Sequence, residues 1–128
     1  MRDVEKMFSS IDKMDVAGFA EHLSEHVVFQ FGNAPELHGR EAVATGVAGF
    51  FGQIAGLRHV PTGGWELGEF SFRRFMTYYK RLDGPEVSAP CAVVLHHEES
   101  GLIDDYRIYI DLSPVFAKLE TLPETSNA

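Results

Sequence analysis

The chain of 128 residues has one cysteine, one tryptophan and only 11 basic residues against 19 acidic ones. A single thiol, Cys91, excludes an internal disulfide and fits a reducing compartment. The net charge of −8 argues against nucleic acid and anionic membrane as partners, because phosphate recognition needs a basic patch. No apolar run approaches the length of a membrane span, and "MRDVEKMFSS" carries no apolar signal core, so the expectation is a cytoplasmic protein. Also missing are a Cys/His spacing for zinc, a glycine-rich phosphate loop and a low-complexity linker; no cofactor and no metal is expected.

What is present is hydrophobic and aromatic. Hydrophobic residues make up 45% of the chain and ten are phenylalanines, enough for one domain with either a broad core or an aromatic-lined cavity. Val4, Met7, Phe8 and Ile11 stand at i, i+3, i+4 and i+7, which predicts an amphipathic helix over 3–14. Asp15 reads as the N-cap of a second, short helix with Phe19 and Leu23 on one face. "HVVFQF" predicts a strand, and "FGNAPELHG" a loop with Asn, Pro and Gly as breakers.

A third helix is predicted from Arg40 to Gly56 by Val43, Val47, Phe50, Phe51 and Ile54. Four strands follow, at about 57–69, 71–82, 87–97 and 101–111. Their turn signals are Gly63-Gly64, Asp83-Gly84-Pro85 and Glu98-Glu99-Ser100-Gly101. Helices followed by long antiparallel strands predict an α+β fold, a single domain over 1–117 with a polar tail over 118–128.

This order, with "FGNAPELHGREAV", "YYKRLDGPEVSAP" and "GLIDDYRIYIDLSPVF", resembles the SnoaL-like branch of the nuclear transport factor 2-like superfamily. That branch includes polyketide cyclases, ketosteroid isomerase and limonene epoxide hydrolase. The resemblance implies a cone-shaped, curved, mixed but mostly antiparallel sheet wrapped on three N-terminal helices, a cystatin-like roll. It implies a pocket in the cone and a homodimer through the open sheet face. It does not carry the known chemistries across.

Where ketosteroid isomerase has its tyrosine, aspartate base and protonated acid, this chain has Met7 or Phe8, Gln30 or Phe31, and the stretch Cys91 to Val93. The hydrolase's Tyr-x-Asn becomes Phe31-Gly32-Asn33, and its final-strand aspartate becomes Ile108. Its Arg-x-Asp either matches Arg81-Leu82-Asp83, which otherwise reads as a hairpin turn, or falls on Phe75 and Thr77.

The family's inward parity places Phe75, Thr77, Tyr79 and Arg81 on one strand inside the cone. Tyr106, Ile108 and Ile110 follow on the last strand, with Leu57, His59 and Trp65 on the strand after the third helix. Phe29 or Phe31, Phe50 and Ile54 complete the lining, and Asn33 stands in a loop at a family pocket position. The same parity turns Arg107, Tyr109 and Asp111 outward, where Asp111 facing a second copy's Arg107 would make an ion pair. Asp104 joins the inward set.

His59 is a candidate general acid or base, or a hydrogen-bonded core histidine. Tyr79 and Tyr106 are candidate oxyanion donors, or core fillers. Trp65 shapes the cavity or fills it. His96-His97 point to opposite faces, and His22 and His26 lack a third ligand, so neither pair makes a metal site. Three functions fit: an isomerase or cyclase moving protons on an apolar cyclic or polyketide-like substrate, a binder of an apolar small molecule, and a dimeric scaffold with a filled cavity.

Overall fold

The computed structural model describes residues 3–117, so the predicted tail at 118–128 lies outside the described residues. Helix α1, Val4–Asp12, buries Val4, Met7, Phe8 and Ile11, the face set by their spacing. Asp3 caps it by accepting from the Lys6 amide. Asp15 caps α2, Val16–Ala20, in the same way through the Gly18 amide, which ends the first helix and redirects the chain.

Strand β1, Leu23–Phe31, starts three residues before the predicted "HVVFQF". The loop after it holds a short strand, β2, Leu37–His38, that pairs with Val28 and Phe29. Helix α3 runs Arg40–Phe51, shorter than predicted, because Gly52 caps it and Ile54 already opens β3, Ile54–Leu67. Then come β4, Phe70–Arg81, β5, Glu86–His97, and β6, Ile103–Ile110. A short helix α4, Ser113–Phe116, closes the described chain, with no counterpart in the periodicity.

The six strands form one sheet in the order β2-β1-β6-β5-β4-β3. Only β1 and β6 run parallel, so the sheet is mixed and mostly antiparallel, curved and unclosed, as expected. Buried residues alternate along β4 and β5: Phe75, Thr77 and Tyr79 on one, Ala89, Cys91, Val93, Leu95 and His97 on the other. This concave face receives the apolar faces of α1 and α3.

Two of the sheet's register shifts overturn a predicted side-chain direction. In β3 the register shifts between Pro61 and Gly63, where proline has no N–H for the ladder. Gly63-Gly64 is therefore a point inside a strand, not a turn; the turn lies at Gly68, whose φ is +58°. Beyond the bulge Glu66 pairs with buried Ser71 and Trp65 with Phe72, so Trp65 faces out instead of in.

The second shift lies between His96 and His97 opposite β6. It keeps Ile103 and Tyr106 buried while Asp104 joins His96 on the outer face, against the predicted inward direction. There His96 Nδ1 meets Asp104 at 2.6 Å and Nε2 meets Glu69 at 2.8 Å.

Both His96 nitrogens face carboxylates, which only the doubly protonated ring can satisfy. Hydrogen bonds to Asp104 and then Glu69 raise the His96 pKa. The folded state therefore binds this proton more tightly than the unfolded chain. The stabilisation is complete below about pH 6.5, the unfolded value. It is lost as pH rises through the raised folded value. Urea unfolding of the native chain and His96→Gln at pH 6 and pH 9 should show a smaller difference between them at pH 9; equal differences remove this proton link.

The Arg81-Leu82-Asp83 stretch is a hairpin turn. Arg81 donates from Nε and Nη2 to the two Asp83 oxygens at 2.9 Å, and from Nη1 to the Pro114 carbonyl at 3.0 Å. The buried guanidinium thus braces α4 against the sheet rather than serving the cavity.

Candidate active site

A cavity of about 290 Å³ lies between the concave face and the helices, close to the lower end of small-molecule sites. Its wall is made by α1 (Phe8, Ile11), α2 (Phe19), β1 (Phe29, Phe31) and α3 (Val47, Phe50, Phe51). The sheet adds Leu57, His59, Tyr79, Cys91, Val93, Tyr106 and Ile108. The lining has no lysine, arginine or carboxylate among the described residues.

The one strongly polar feature sits at the α1 side of this wall. Asp12, at the last residue of α1, accepts from His59 Nδ1 at 2.6 Å and from the His59 backbone amide at 3.1 Å. A carboxylate can only accept, so Nδ1 carries a proton, and in the neutral ring Nε2 holds the lone pair. The imidazole is held between the rings of Phe8, at 5.3 Å, and Phe75, at 4.9 Å. Its side chain is only 9% exposed. Packing and Asp12 together fix its tautomer and orientation, while Nε2 has no hydrogen-bond partner among the described residues.

Tyr79 stands diagonally across from His59: Leu57 pairs with Tyr79 and His59 with Thr77. Such diagonal neighbours on one face lie roughly 7–8 Å apart, room for a substrate to lie against both. Burial raises the Tyr79 pKa, followed by the nearby Cys91 and Asp12. Burial likewise holds Tyr106 well above its ordinary value. Both phenols stay protonated at neutral pH. The Cys91 thiol is pushed up to about 11 by burial and stays an unreactive wall group at neutral pH.

Of the residues expected around a pocket, Phe29, Phe31, Phe50, Leu57, His59, Tyr79, Tyr106 and Ile108 line this cavity together. Arg81 and Asp104, described above, do not, nor do Ile110 and the five residues that follow. Phe75 lies behind the wall against Phe8 at 4.6 Å, and Thr77 is fully buried in the same layer. Ile54 is buried in the core below the α3 terminus. Asn33 lines a shallow outer depression with Tyr109 and Asp111. Trp65 is 56% exposed beneath the Arg74 guanidinium, 5.7 Å away, because of the Pro61–Gly63 bulge.

Asp12 went unnoticed in the sequence, although a signal existed. It stands four residues after Phe8 and eight after Val4, on the buried stripe of α1. A carboxylate at a helix C-terminus also opposes the helix dipole, and such local inconsistencies gather at functional sites.

On the outer face, Arg107 donates to Asp105 through Nε and Nη2 at 2.9 and 3.1 Å, and to Gln30 and Glu36 through Nη1. Asp111 accepts from the Ser113 amide. Both are therefore engaged within one chain, and Tyr109 is the freer of the three outward residues, 59% exposed.

Among solved structures, an NTF2-like protein of unknown function from Burkholderia pseudomallei superposes with a TM-score of 0.82. It is 16% identical over 90% of this chain and 95% of that one. A protein with a ketosteroid isomerase-like fold from Catenulispora acidiphila, solved with trimethylamine, gives 0.80 at 16% identity over 89% and 88%. An LEH-like epoxide hydrolase from M. tuberculosis gives 0.74 at 17% identity over 88% and 83%. At these identities the likeness is one of fold. A comparison with curated protein sequences finds no match. No helix among the described residues is long and apolar enough to cross a membrane. The SnoaL-like domain pattern matches residues 4–106, and the chain belongs to the SnoaL-like family within the nuclear transport factor 2-like fold.

Proposed function

We propose that the chain is a cofactor-independent isomerase or cyclase that moves protons on an uncharged, apolar, cyclic or polyketide-like substrate. The observation that carries this reading is the 2.6 Å contact of Asp12 with His59 Nδ1 in a wall lacking other ionised groups. His59 Nε2 takes a proton from the carbon beside a substrate carbonyl, and Asp12 stabilises the imidazolium that forms. Tyr79 donates to the developing enolate oxygen, with Tyr106 farther along the wall. The imidazolium then returns its proton at a second carbon or to a new oxygen.

The α-protons of 2-tetralone, a small cyclic ketone, test this in D2O without knowledge of the natural substrate. The protein should accelerate their exchange, followed by proton NMR, about 100-fold or more over buffer. Binding without exchange would leave the second reading, a binder of apolar small molecules, which the almost wholly apolar lining favours. A homodimer through the open sheet face is part of the same proposal, with exposed Tyr109 at its centre and Arg107 and Asp111 as polar flank.

A further inference from the structure

Three of the cavity's lining residues, Ala34, Pro35 and Leu37, come from the segment between β1 and α3. That segment is built unlike the rest of the wall. It leaves β1 at Gly32, φ +60°, and enters α3 at Gly39, φ +96°, backbone conformations that favour glycine. Asn33 to Glu36 are exposed on their outer side. Backbone pairing to β1 consists of Val28 with His38 and Phe29 with Leu37, the Gly39 amide on the Val27 carbonyl at 2.8 Å, and a turn bond from the Ala34 amide to the Phe31 carbonyl at 3.1 Å.

Three side-chain contacts hold the segment down. Leu37 sits in a notch on α3 that exists because residue 46 is glycine: a Cβ there would stand 2.6 Å from Leu37 Cδ1. On the outside, Arg107 Nη1 donates to Glu36 Oε2 at 2.6 Å. The guanidinium is already fixed to the sheet by two bonds to Asp105 on β6 and one to Gln30 on β1. Gln30 in turn donates to the Ala34 carbonyl at 3.0 Å. One rigid cation on the sheet thus grips both ends of the short crossing.

We propose that residues 33–38 are a glycine-hinged lid over the cavity, seated by Leu37 in the Gly46 notch and latched to the sheet by Arg107 on Glu36, and that ligands enter and leave by its opening. This rests on the reading that the cavity takes an apolar ligand. The latch is partly exposed, so its contribution is small enough for thermal opening yet large enough to set the opening rate.

The test compares the native chain with Glu36→Ala and Gly46→Ala in two measurements. Hydrogen exchange on the ligand-free protein should show the Leu37, His38 and Gly39 amides exchanging together. In Glu36→Ala they should exchange at least threefold faster, with α1 and β5 unchanged. Stopped-flow fluorescence with N-phenyl-1-naphthylamine should show association and dissociation rates both rising at least threefold in Glu36→Ala, with Kd within twofold.

Gly46→Ala, which denies Leu37 its seat, should raise dissociation alone and weaken Kd at least threefold. Unchanged amide exchange in Glu36→Ala overturns the lid, as do unchanged probe rates. If the probe does not bind at all, the ligand-binding reading fails, and amide exchange still decides whether the lid exists.

Discussion

His59→Ala should reduce 2-tetralone α-proton exchange by a factor of 10² to 10⁴, the usual contribution of one positioned general base. Probe binding should change by less than about threefold, since Phe8, Phe31 and Phe50 still form the wall. Asp12→Asn separates base from positioning. It leaves every atom of the His59 ring in place. An amide can, however, present its NH2 to Nδ1, which turns the bare lone pair away from the substrate side.

The rate should then fall by about 10-fold or more. The reason is that the imidazolium loses its adjacent carboxylate, at 2.6 Å in the native chain. A merely structural Asp12 would lower stability and leave the exchange rate of the folded protein unchanged. An unaltered rate in His59→Ala would refute the proton-transfer proposal directly.

Phe19→Ala should produce the largest loss of stability among wall substitutions, about 3–5 kcal/mol. Phe19 is 1% exposed and is the one large side chain that α2 sends inward. Its ring packs edge-on against Phe29, centroids 6.5 Å apart, and Tyr106, 5.8 Å apart. Truncation removes the burial of the ring and both aromatic contacts, and joins the lost volume to the existing cavity.

For a domain of this size the corresponding fall in Tm is about 10–20 °C by calorimetry. A loss below about 1 kcal/mol in urea unfolding would mean that Phe19 borders open space and contributes little packing. The same substitution should loosen probe binding, because the wall nearest Tyr106 recedes.

Much of the architecture follows from periodicity. Val4, Met7, Phe8 and Ile11 mark the buried side of α1, and Asp15 marks the start of α2. The alternation of Phe75, Thr77 and Tyr79 marks the inner side of β4. The terminal "YRIYID" carried the family and correctly placed Tyr106 and Ile108 on the cavity wall.

Prediction failed where one extra residue entered a strand. Strand alternation has a period of two, so the shift at Pro61–Gly63 sends Trp65 outside, and the shift at His96–His97 sends Asp104 to the outer face. Proline at 61 was a visible warning of the first. Nothing local announced the second.

The sequence by itself determined the α+β order, the mostly antiparallel sheet, the aromatic character of the cavity and the presence of His59 within it. The first two depend on patterns repeated over a few neighbouring residues, whereas the cavity and the place of His59 in it follow from the family resemblance. The tertiary structure decided which face Trp65 and Asp104 take, that Arg81 braces a turn, and that Asp12 meets His59. That last pair is separated by 47 residues and joined at 2.6 Å. Its distance is set by how α1 crosses β3, a packing of two buried surfaces that neither segment's own periodicity contains.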